Sequence, residues 1–274
     1  MKAQSDIKTI HYVAPTVWAW RAGRAVKMAK HIDHVLALLP FEPPYMTAAG
    51  MGCDFVGHPV VAEPVASAAE AQNFKSLHGI TGPLILALPG SRAGEVKRLS
   101  ARFGAALGQV VAQVPDAAVV VPCAAPVMAQ VRAATQDWPV TPLLVPGHAA
   151  ATKRAAFRAA DVALAASGTV SLELAANETP MVIGYDMAPL TRMLMNRMIK
   201  VDTVTLVNLV SETRVVPEFL GPACQAEALA DSVLDALRNP TAQLAAMRLT
   251  MERLGRGAED PGLRAARAVL AAAQ

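Results

Sequence analysis

The chain has 274 residues, which is more than one average domain of about 150 residues and less than two full ones. Hydrophobic residues make up 53% of the sequence and charged residues 17%, so the chain can bury enough apolar surface to fold, and general disorder is excluded. The net charge is +3, from 25 basic and 22 acidic residues, and no basic run is dense enough to follow a nucleic-acid backbone. Nucleic acid is therefore not an expected partner.

The three cysteines, Cys53, Cys123 and Cys224, lie far apart and have neither a C-x-x-C spacing nor a neighbouring histidine at ligand spacing. This pattern predicts neither a disulfide framework nor a metal site, and it is typical of a reducing compartment. No stretch reaches the ~20 apolar residues that cross a bilayer, and the first residues lack the apolar core of a signal peptide. We expect a cytoplasmic protein that uses no metal or other cofactor.

The first 60 residues have the rhythm of parallel strands joined by helical crossovers. Short runs rich in β-branched and apolar residues alternate with helix-forming segments. The predicted strands are 7–13, 35–39 and 54–56, and the predicted helices are 19–30 and 42–49. The segment 60–82 is rich in Ala, Glu, Gln and Lys, so we place a domain boundary there.

The second block repeats this rhythm more clearly and predicts five strands in one doubly wound parallel sheet. The predicted strands are 83–88, 117–121, 140–145, 161–165 and 181–185, and the helices between them are 95–114, 125–134, 151–159 and 169–176. The tail is predicted to be helical over 225–238 and from 241 to the end, and to pack across the domain boundary.

The loop after the strand 83–88 has the composition of an anion-binding turn. Gly90 permits close approach of the backbone, Ser91 can cap the following helix, and Arg92 offers a guanidinium to phosphate oxygens. The loop is therefore a candidate clamp for a diphosphate. An ordinary turn with a capping serine and a solvated arginine remains the alternative.

A second loop follows the strand 161–165. Ser167, Gly168 and Thr169 place hydroxyls and amides at a helix start, and Glu173 lies one turn further on, where it could accept hydrogen bonds from vicinal hydroxyls such as those of a ribose. The alternative is a local cap in which Thr169 and Ser171 only satisfy nearby amides. Together, the two loops favour a nucleotide ligand.

Generic signatures are absent from the sequence. It contains no G-x-x-x-x-G-K-[ST], no H-E-x-x-H and no D-x-D, so Arg92 and helix termini are expected to neutralise the charge of a diphosphate.

The segment 189–200 has an apolar, methionine-rich face and three basic residues, which fits either a core helix or a helix that docks on an anionic bilayer. His58 is expected to be structural.

Six separated motifs resemble the lipid-A-disaccharide synthase family in order and context. They are YVAPTVWAWR at 12–21, FVGHP at 55–59, LPGSR at 88–92 with Glu95, SGTVSLE at 167–173, PMVIGY at 180–185 and VNL at 207–209. The resemblance runs from about residue 7 to the C-terminus. It implies a GT-B glycosyltransferase with two Rossmann-like domains, in which residues 1–60 are the remnant of the acceptor-side domain and 61–274 form the UDP-sugar-binding domain with C-terminal helices.

The resemblance also implies a reaction and a set of site residues. UDP-2,3-diacylglucosamine and 2,3-diacylglucosamine 1-phosphate are joined with inversion, giving the disaccharide 1-phosphate and UDP. Arg92 and the amides of Ser91 and 167–169 would meet the charge that develops on the UDP. Glu173 and Asn208 are assigned to donor binding, with Glu173 on the ribose, and the expected substrate-binding set is Gly90, Ser91, Arg92, Glu95, Ser167, Gly168, Thr169, Glu173 and Asn208.

The match lacks most of the family's first domain, including its Gly-rich acceptor-side loop and the Asp proposed as general base. The alternatives are a truncated, inactive UDP-binding fragment and an enzyme similar to UDP-GlcNAc 2-epimerase. The acylated substrates imply peripheral contact with the cytoplasmic face of the inner membrane, and a homodimer is a further expectation.

Overall fold

The structure, a computed structural model, describes residues 7–21, 23–187 and 201–273. The segment 189–200, with its amphipathic pattern, lies outside the described residues. The described residues divide into two compact units, one containing 7–21, 23–63, 201–202 and 249–273, the other containing 64–187 and 203–248. No helix in the described part of the chain is long and apolar enough to cross a membrane.

The first unit contains a three-stranded parallel sheet in the order β1-β2-β3. Its strands are β1 (Ile10–Tyr12), β2 (His34–Ala37) and β3 (Gly52–Phe55), and its crossover helices are α1 (Gly23–Ala29) and α2 (Pro43–Thr47). The three predicted strands and two predicted helices of this block are confirmed, although β1 is shorter than the segment 7–13. A small apolar core that includes Val17, Val35 and Met46 holds the sheet and helices together.

The last helix, α11 (Pro261–Ala273), belongs to this first unit. The Arg264 Nη2 atom donates to the Phe55 carbonyl oxygen at 2.7 Å, and its guanidinium carbon lies 5.2 Å from the centroid of the Phe55 ring. The sequence analysis expected the helical tail to pack across the domain boundary, and its last helix lies with the first unit. The physical basis of this placement is the contact with the end of β3, which no local sequence pattern encodes.

The second unit contains a six-stranded parallel sheet in the order β6-β5-β4-β7-β8-β9. Its strands are β4 (Leu84–Leu88), β5 (Ala118–Cys123), β6 (Leu143–Pro146), β7 (Val162–Ala166), β8 (Met181–Tyr185) and β9 (Glu218–Leu220). The doubly wound parallel sheet is confirmed, but the prediction of five strands was wrong because β9 was missed. This strand has only three residues and pairs in parallel with β8 at the edge of the sheet.

Helices cover this sheet on both faces. They are α3 (Ala68–Leu77), α4 (Ala93–Gln113), α5 (Met128–Thr135), α6 (Ala150–Ala159), α7 (Val170–Ala176), α8 (Leu206–Ser211) and α9 (Ala226–Arg238). Helix α10 (Thr241–Arg253) follows them, and short 3₁₀ turns occupy Pro59–Val61, Ala125–Val127 and Gly221–Ala223. Helix α8 was not predicted from the sequence.

The core of the second unit follows from strand alternation. All five residues of β4 are buried, and successive side chains of a strand point to opposite faces, so both faces of the sheet are covered. Helix α4 buries an apolar face formed by Val96, Leu99 and Phe103, as well as by Leu107 and Val110. Burying a side chain of this size contributes about 1.5–3 kcal/mol.

The strand order sets the position of a ligand site. From the central strand β4 the chain moves outward through β5 to β6, then returns to β7 on the other side of β4 and moves outward through β8 to β9. The direction of winding therefore reverses between β4 and β7. In open parallel sheets, ligands bind beyond the carboxyl ends of the strands at this reversal.

Candidate functional site

A cavity of about 640 Å³ lies at this position, beyond the carboxyl ends of β4 and β7. Its volume is in the range of small-molecule sites, about 300–1,000 Å³. Its lining includes eight of the nine predicted substrate-binding residues, namely Gly90, Ser91, Arg92, Glu95, Ser167, Gly168, Thr169 and Glu173. The two candidate loops, separated by more than 70 residues in the sequence, therefore meet at one site.

The first loop is organised by the buried carboxylate of Glu95. The Oε2 atom accepts hydrogen bonds from the backbone amides of Ser91 at 3.1 Å and Arg92 at 3.3 Å. The Oε1 atom accepts a bond from Nη1 of Arg92 at 2.8 Å. Glu95 thus fixes both the course of the loop and the position of the Arg92 guanidinium.

This arrangement corrects two expectations about Ser91. Arg92, not Ser91, occupies the N-cap position of α4, because the acidic residue that returns to the loop is three residues after Arg92. The Ser91 amide donates to Glu95, so in this arrangement it does not point at a ligand. The exposed Ser91 hydroxyl remains on the cavity wall.

Gly90 explains how the Glu95 side chain can pack so closely against the backbone of the first loop. Its φ of +121° lies in the region that favours glycine, and a Cβ atom added there would be pressed against Cβ of Glu95 and would lie 2.6 Å from its Oε2 atom. Glycine is therefore required both for the turn and for the packing of Glu95.

Arg92 has the properties expected of a residue that binds an anion. Its side chain is 81% exposed and lines the cavity. The hydrogen bond to Glu95, together with the charge of that carboxylate, raises the pKa of Arg92, so the guanidinium stays cationic. It has five N–H donors, and the bond to Glu95 leaves others for a phosphate.

The second loop presents backbone to the cavity. A Cβ atom built on Gly168 would meet no atom within 4 Å, so a ligand can approach the backbone at this residue. Thr169 occupies the N-cap position of α7 without a capping bond from its side chain, and the Ser171 hydroxyl donates to the Gly168 carbonyl at 2.9 Å. The hydroxyls of Thr169 and Ser171 therefore do not form the local cap in which they would accept hydrogen bonds from nearby backbone amides.

Glu173 is paired with a residue that sequence reasoning missed. The Nζ atom of Lys153, on α6, lies 2.6 Å from Oε2 of Glu173, on α7, and each side chain is about one-third exposed. Lys153 also lies 5.0 Å from the centroid of the Phe157 ring. Lys153 and His148 both line the cavity. Their position just after β6 was the signal available, since that strand ends at the same edge of the sheet as β4 and β7.

Asn208 is the predicted site residue that the structure does not bring to the cavity. Its side chain is buried, its Nδ2 atom donates to the Val216 carbonyl at 2.9 Å, and its Oδ1 atom accepts the Val216 amide at 3.0 Å. Further bonds join it to Thr203 and Glu218. These bonds close the loop between α8 and β9, and donor binding by Asn208 stays a prediction.

His58 has a structural position in the first unit. Its Nδ1 atom accepts the Val60 amide at 3.1 Å and caps the turn Pro59–Val61, and burial lowers its pKa. Among the residues that the structure describes, no group of three or more His, Cys, Asp or Glu side chains could hold a metal ion.

Comparison with known proteins gives consistent results over nearly the whole chain. A family model described as lipid-A-disaccharide synthetase matches residues 1–270. The lipid-A-disaccharide synthase of Ruegeria pomeroyi is 61% identical, over 98% of this chain and 69% of the relative. That of Rhodospirillum centenum is 46% identical, over 98% of this chain and 68% of the relative.

Solved structures resemble the fold at low sequence identity. Anabaena Alr3699/HepE in complex with UDP and glucose aligns with a TM-score of 0.59 at 11% identity, covering 97% of this chain and 72% of that one. The UDP-GlcNAc 2-epimerase from Neisseria meningitidis, bound to UDP-GlcNAc, aligns with a TM-score of 0.56 at 12% identity, covering 88% of this chain and 61% of that one. At such identities the likeness shows the fold alone.

Proposed function

We propose that this chain, which belongs to the lipid-A-disaccharide synthetase family, is a glycosyltransferase of lipid A biosynthesis that holds its UDP-sugar donor in the cavity beyond β4 and β7. The donor is UDP-2,3-diacylglucosamine and the acceptor is 2,3-diacylglucosamine 1-phosphate. Transfer proceeds with inversion at the anomeric carbon and releases UDP.

The observation that carries this proposal is the chemistry of the cavity. It combines an exposed guanidinium at Arg92, open backbone at Gly168 and a carboxylate at Glu173 around one volume of about 640 Å³. A guanidinium and backbone amides bind phosphate oxygens, and a carboxylate accepts hydrogen bonds from sugar hydroxyls. These groups match the diphosphate and the ribose of UDP.

Arg92 acts on the leaving group. As the bond between the anomeric carbon and the phosphate oxygen breaks, negative charge grows on the UDP, and the Arg92 guanidinium stabilises that charge. Because Glu95 holds its Nη1 atom, little reorganisation is needed when the charge develops. Preorganised donors of this kind contribute about 2.7–4 kcal/mol each to transition-state stabilisation.

Transfer is tested by incubating the purified chain with both acylated substrates and measuring products by mass spectrometry. Disaccharide 1-phosphate and UDP are expected in equal amounts. UDP binding without either product would instead support the UDP-binding fragment. Conversion of UDP-GlcNAc alone would support the epimerase, a reading that the family match does not favour.

We further propose peripheral contact with the cytoplasmic face of the inner membrane. The acyl chains of both substrates and the basic, methionine-rich sequence of 189–200 support it. Flotation with anionic vesicles tests it, and reversing the charges of Arg192 and Arg197 should reduce the bound fraction. No reduction would remove this segment from the contact.

A homodimer is a separate proposal, supported by the exposed apolar residues Leu263, Val269 and Leu270 on α11. Analytical ultracentrifugation tests it. A single monomeric species at micromolar concentration would contradict it.

A further inference from the structure

The wall of the cavity contains an ion pair whose lysine has no role in the proposed reaction. Lys153 and Glu173 stand on α6 and α7, which follow different strands, and their charged atoms approach to 2.6 Å. Both residues line the cavity, so the pair faces the space that a ligand would enter.

The pair restricts the Glu173 side chain. An isolated glutamate on a helix surface samples several rotamers, and ordering it on ligand binding costs conformational entropy. The bond from Lys153 engages Oε2, and the Lys153 ammonium is itself placed near the Phe157 ring. The orientation of the carboxylate is therefore set before a ligand arrives.

A carboxylate held in this way suits a vicinal diol. An ionised carboxylate has about four acceptor positions on its two oxygens, so the bond to Lys153 leaves Oε1 and a second lone pair of Oε2 for hydroxyl donors. Hydrogen bonds to a charged acceptor are roughly twice as strong as neutral ones. A diol bound there would be distinguished from a sugar that lacks one hydroxyl.

We propose that Lys153 is a positioning residue that orients Glu173 to recognise the ribose diol of the donor, and so sets the preference of the site for ribonucleotides over deoxyribonucleotides. This inference rests on the proposed function, because it takes the ligand to be a uridine nucleotide. The competing role is direct contact between Lys153 and a phosphate. If Lys153 acts through Glu173, its effect on affinity depends on the 2′-hydroxyl of the ribose. If Lys153 contacts a phosphate, its effect does not depend on that hydroxyl.

The test compares the binding of UDP and 2′-deoxy-UDP by isothermal titration calorimetry. The wild-type chain is expected to bind UDP about tenfold or more tightly than 2′-deoxy-UDP. Lys153→Met should weaken UDP severalfold and leave 2′-deoxy-UDP nearly unchanged, so that the ratio of the two affinities falls towards one. Lys153→Arg should restore most of the ratio, because it keeps a cationic donor at the same place.

Two further variants complete the experiment. Lys97→Met removes an exposed lysine of α4 that does not line the cavity, and its ratio should equal that of the wild type. Adding Lys153→Met to Glu173→Gln should cause no loss of discrimination beyond that of Glu173→Gln alone, because the lysine acts through the carboxylate.

The outcomes distinguish a failure of the role of Lys153 from a failure of UDP binding. Equal weakening of both nucleotides by Lys153→Met would assign Lys153 to the phosphates and overturn the inference, while leaving the proposed function in place. An unchanged ratio in Lys153→Met would also overturn it. A wild-type chain that binds no UDP would remove the proposed function and this inference with it.

Discussion

Glu95 bonds the guanidinium of Arg92 at 2.8 Å through one oxygen while its other oxygen accepts the backbone amide of the same residue at 3.3 Å. Main chain and side chain of Arg92 are therefore fixed by one buried carboxylate. Arg92, the residue proposed to bind an anion at this site, is thus fixed at the start of α4, and its contribution can be tested directly.

Replacing Arg92 by alanine should lower turnover by about 10²- to 10³-fold, because the charge developing on the leaving group loses its cationic partner. Steady-state kinetics with both acylated substrates measures this. Arg98→Ala, an exposed change on the same helix, is the matched control and should leave turnover close to that of the wild type. Near-normal turnover in Arg92→Ala would remove Arg92 from the mechanism.

Gly90→Ala should destabilise the second unit by more than the roughly 1–2 kcal/mol expected from a left-handed backbone alone, since the added Cβ also collides with Glu95. Urea denaturation gives the free energy of unfolding. In the control Gly79→Ala, φ is +64° and a Cβ would meet no atom within 4 Å, so only the backbone cost applies. Equal losses of unfolding free energy in the two variants would show that the contact between the added Cβ atom and Glu95 has no cost.

Asn208→Ala should lower the free energy of unfolding by about 1–3 kcal/mol, because buried partners around Val216 lose their hydrogen bonds. The affinity for UDP, measured well below the melting temperature, should stay within about twofold. Asn239→Ala removes an exposed asparagine that bonds Asp235 and should change stability little. A large loss of UDP affinity with unchanged stability would support the donor-binding assignment of Asn208.

His58 should make the stability of the first unit depend on pH. Burial lowers its pKa below the ordinary value of 6.5, so between the two pKa values the unfolded chain binds a proton that the folded chain does not. The free energy of unfolding should therefore fall as the pH decreases below about 6.5.

The His58 prediction is measured by denaturant titrations between pH 5 and pH 8. His58→Asn, which can still cap the turn at Val60, should reduce this slope, whereas His11→Asn, an exposed change on β1, should not. The same slope in His58→Asn and the wild type would show that His58 is not its source.

Long buried runs were the easiest elements to predict. The bounds of β8 agree with the predicted 181–185, and β4 differs from its prediction by one residue, because continuous apolar runs between turn residues leave few alternatives. Strand β9 could not be predicted in the same way. It is three residues long, begins with Glu218, and is a strand only because β8 offers it an edge.

The site was predictable as two loops but not as a set of contacts. Glu95 lies three residues after Arg92, the spacing between an N-cap and the residue that returns to it, but arginine is not a typical N-cap residue and the sequence favoured Ser91. The pair formed by Lys153 and Glu173 depends on the first turns of α6 and α7 meeting at one cavity, which is a property of the assembled fold. The sequence could not separate the two roles of Asn208, because a buried amide that closes a loop and one that binds a ligand have the same sequence signature.

The strand order has a consequence for how binding and folding are coupled. A chain folded only as far as β6 would possess one part of the wall of the proposed nucleotide site, because the other part enters with β7 and α7. Nucleotide affinity should thus appear only when the whole sheet has assembled. Saturating nucleotide should then stabilise the completely folded unit and not a partly folded precursor.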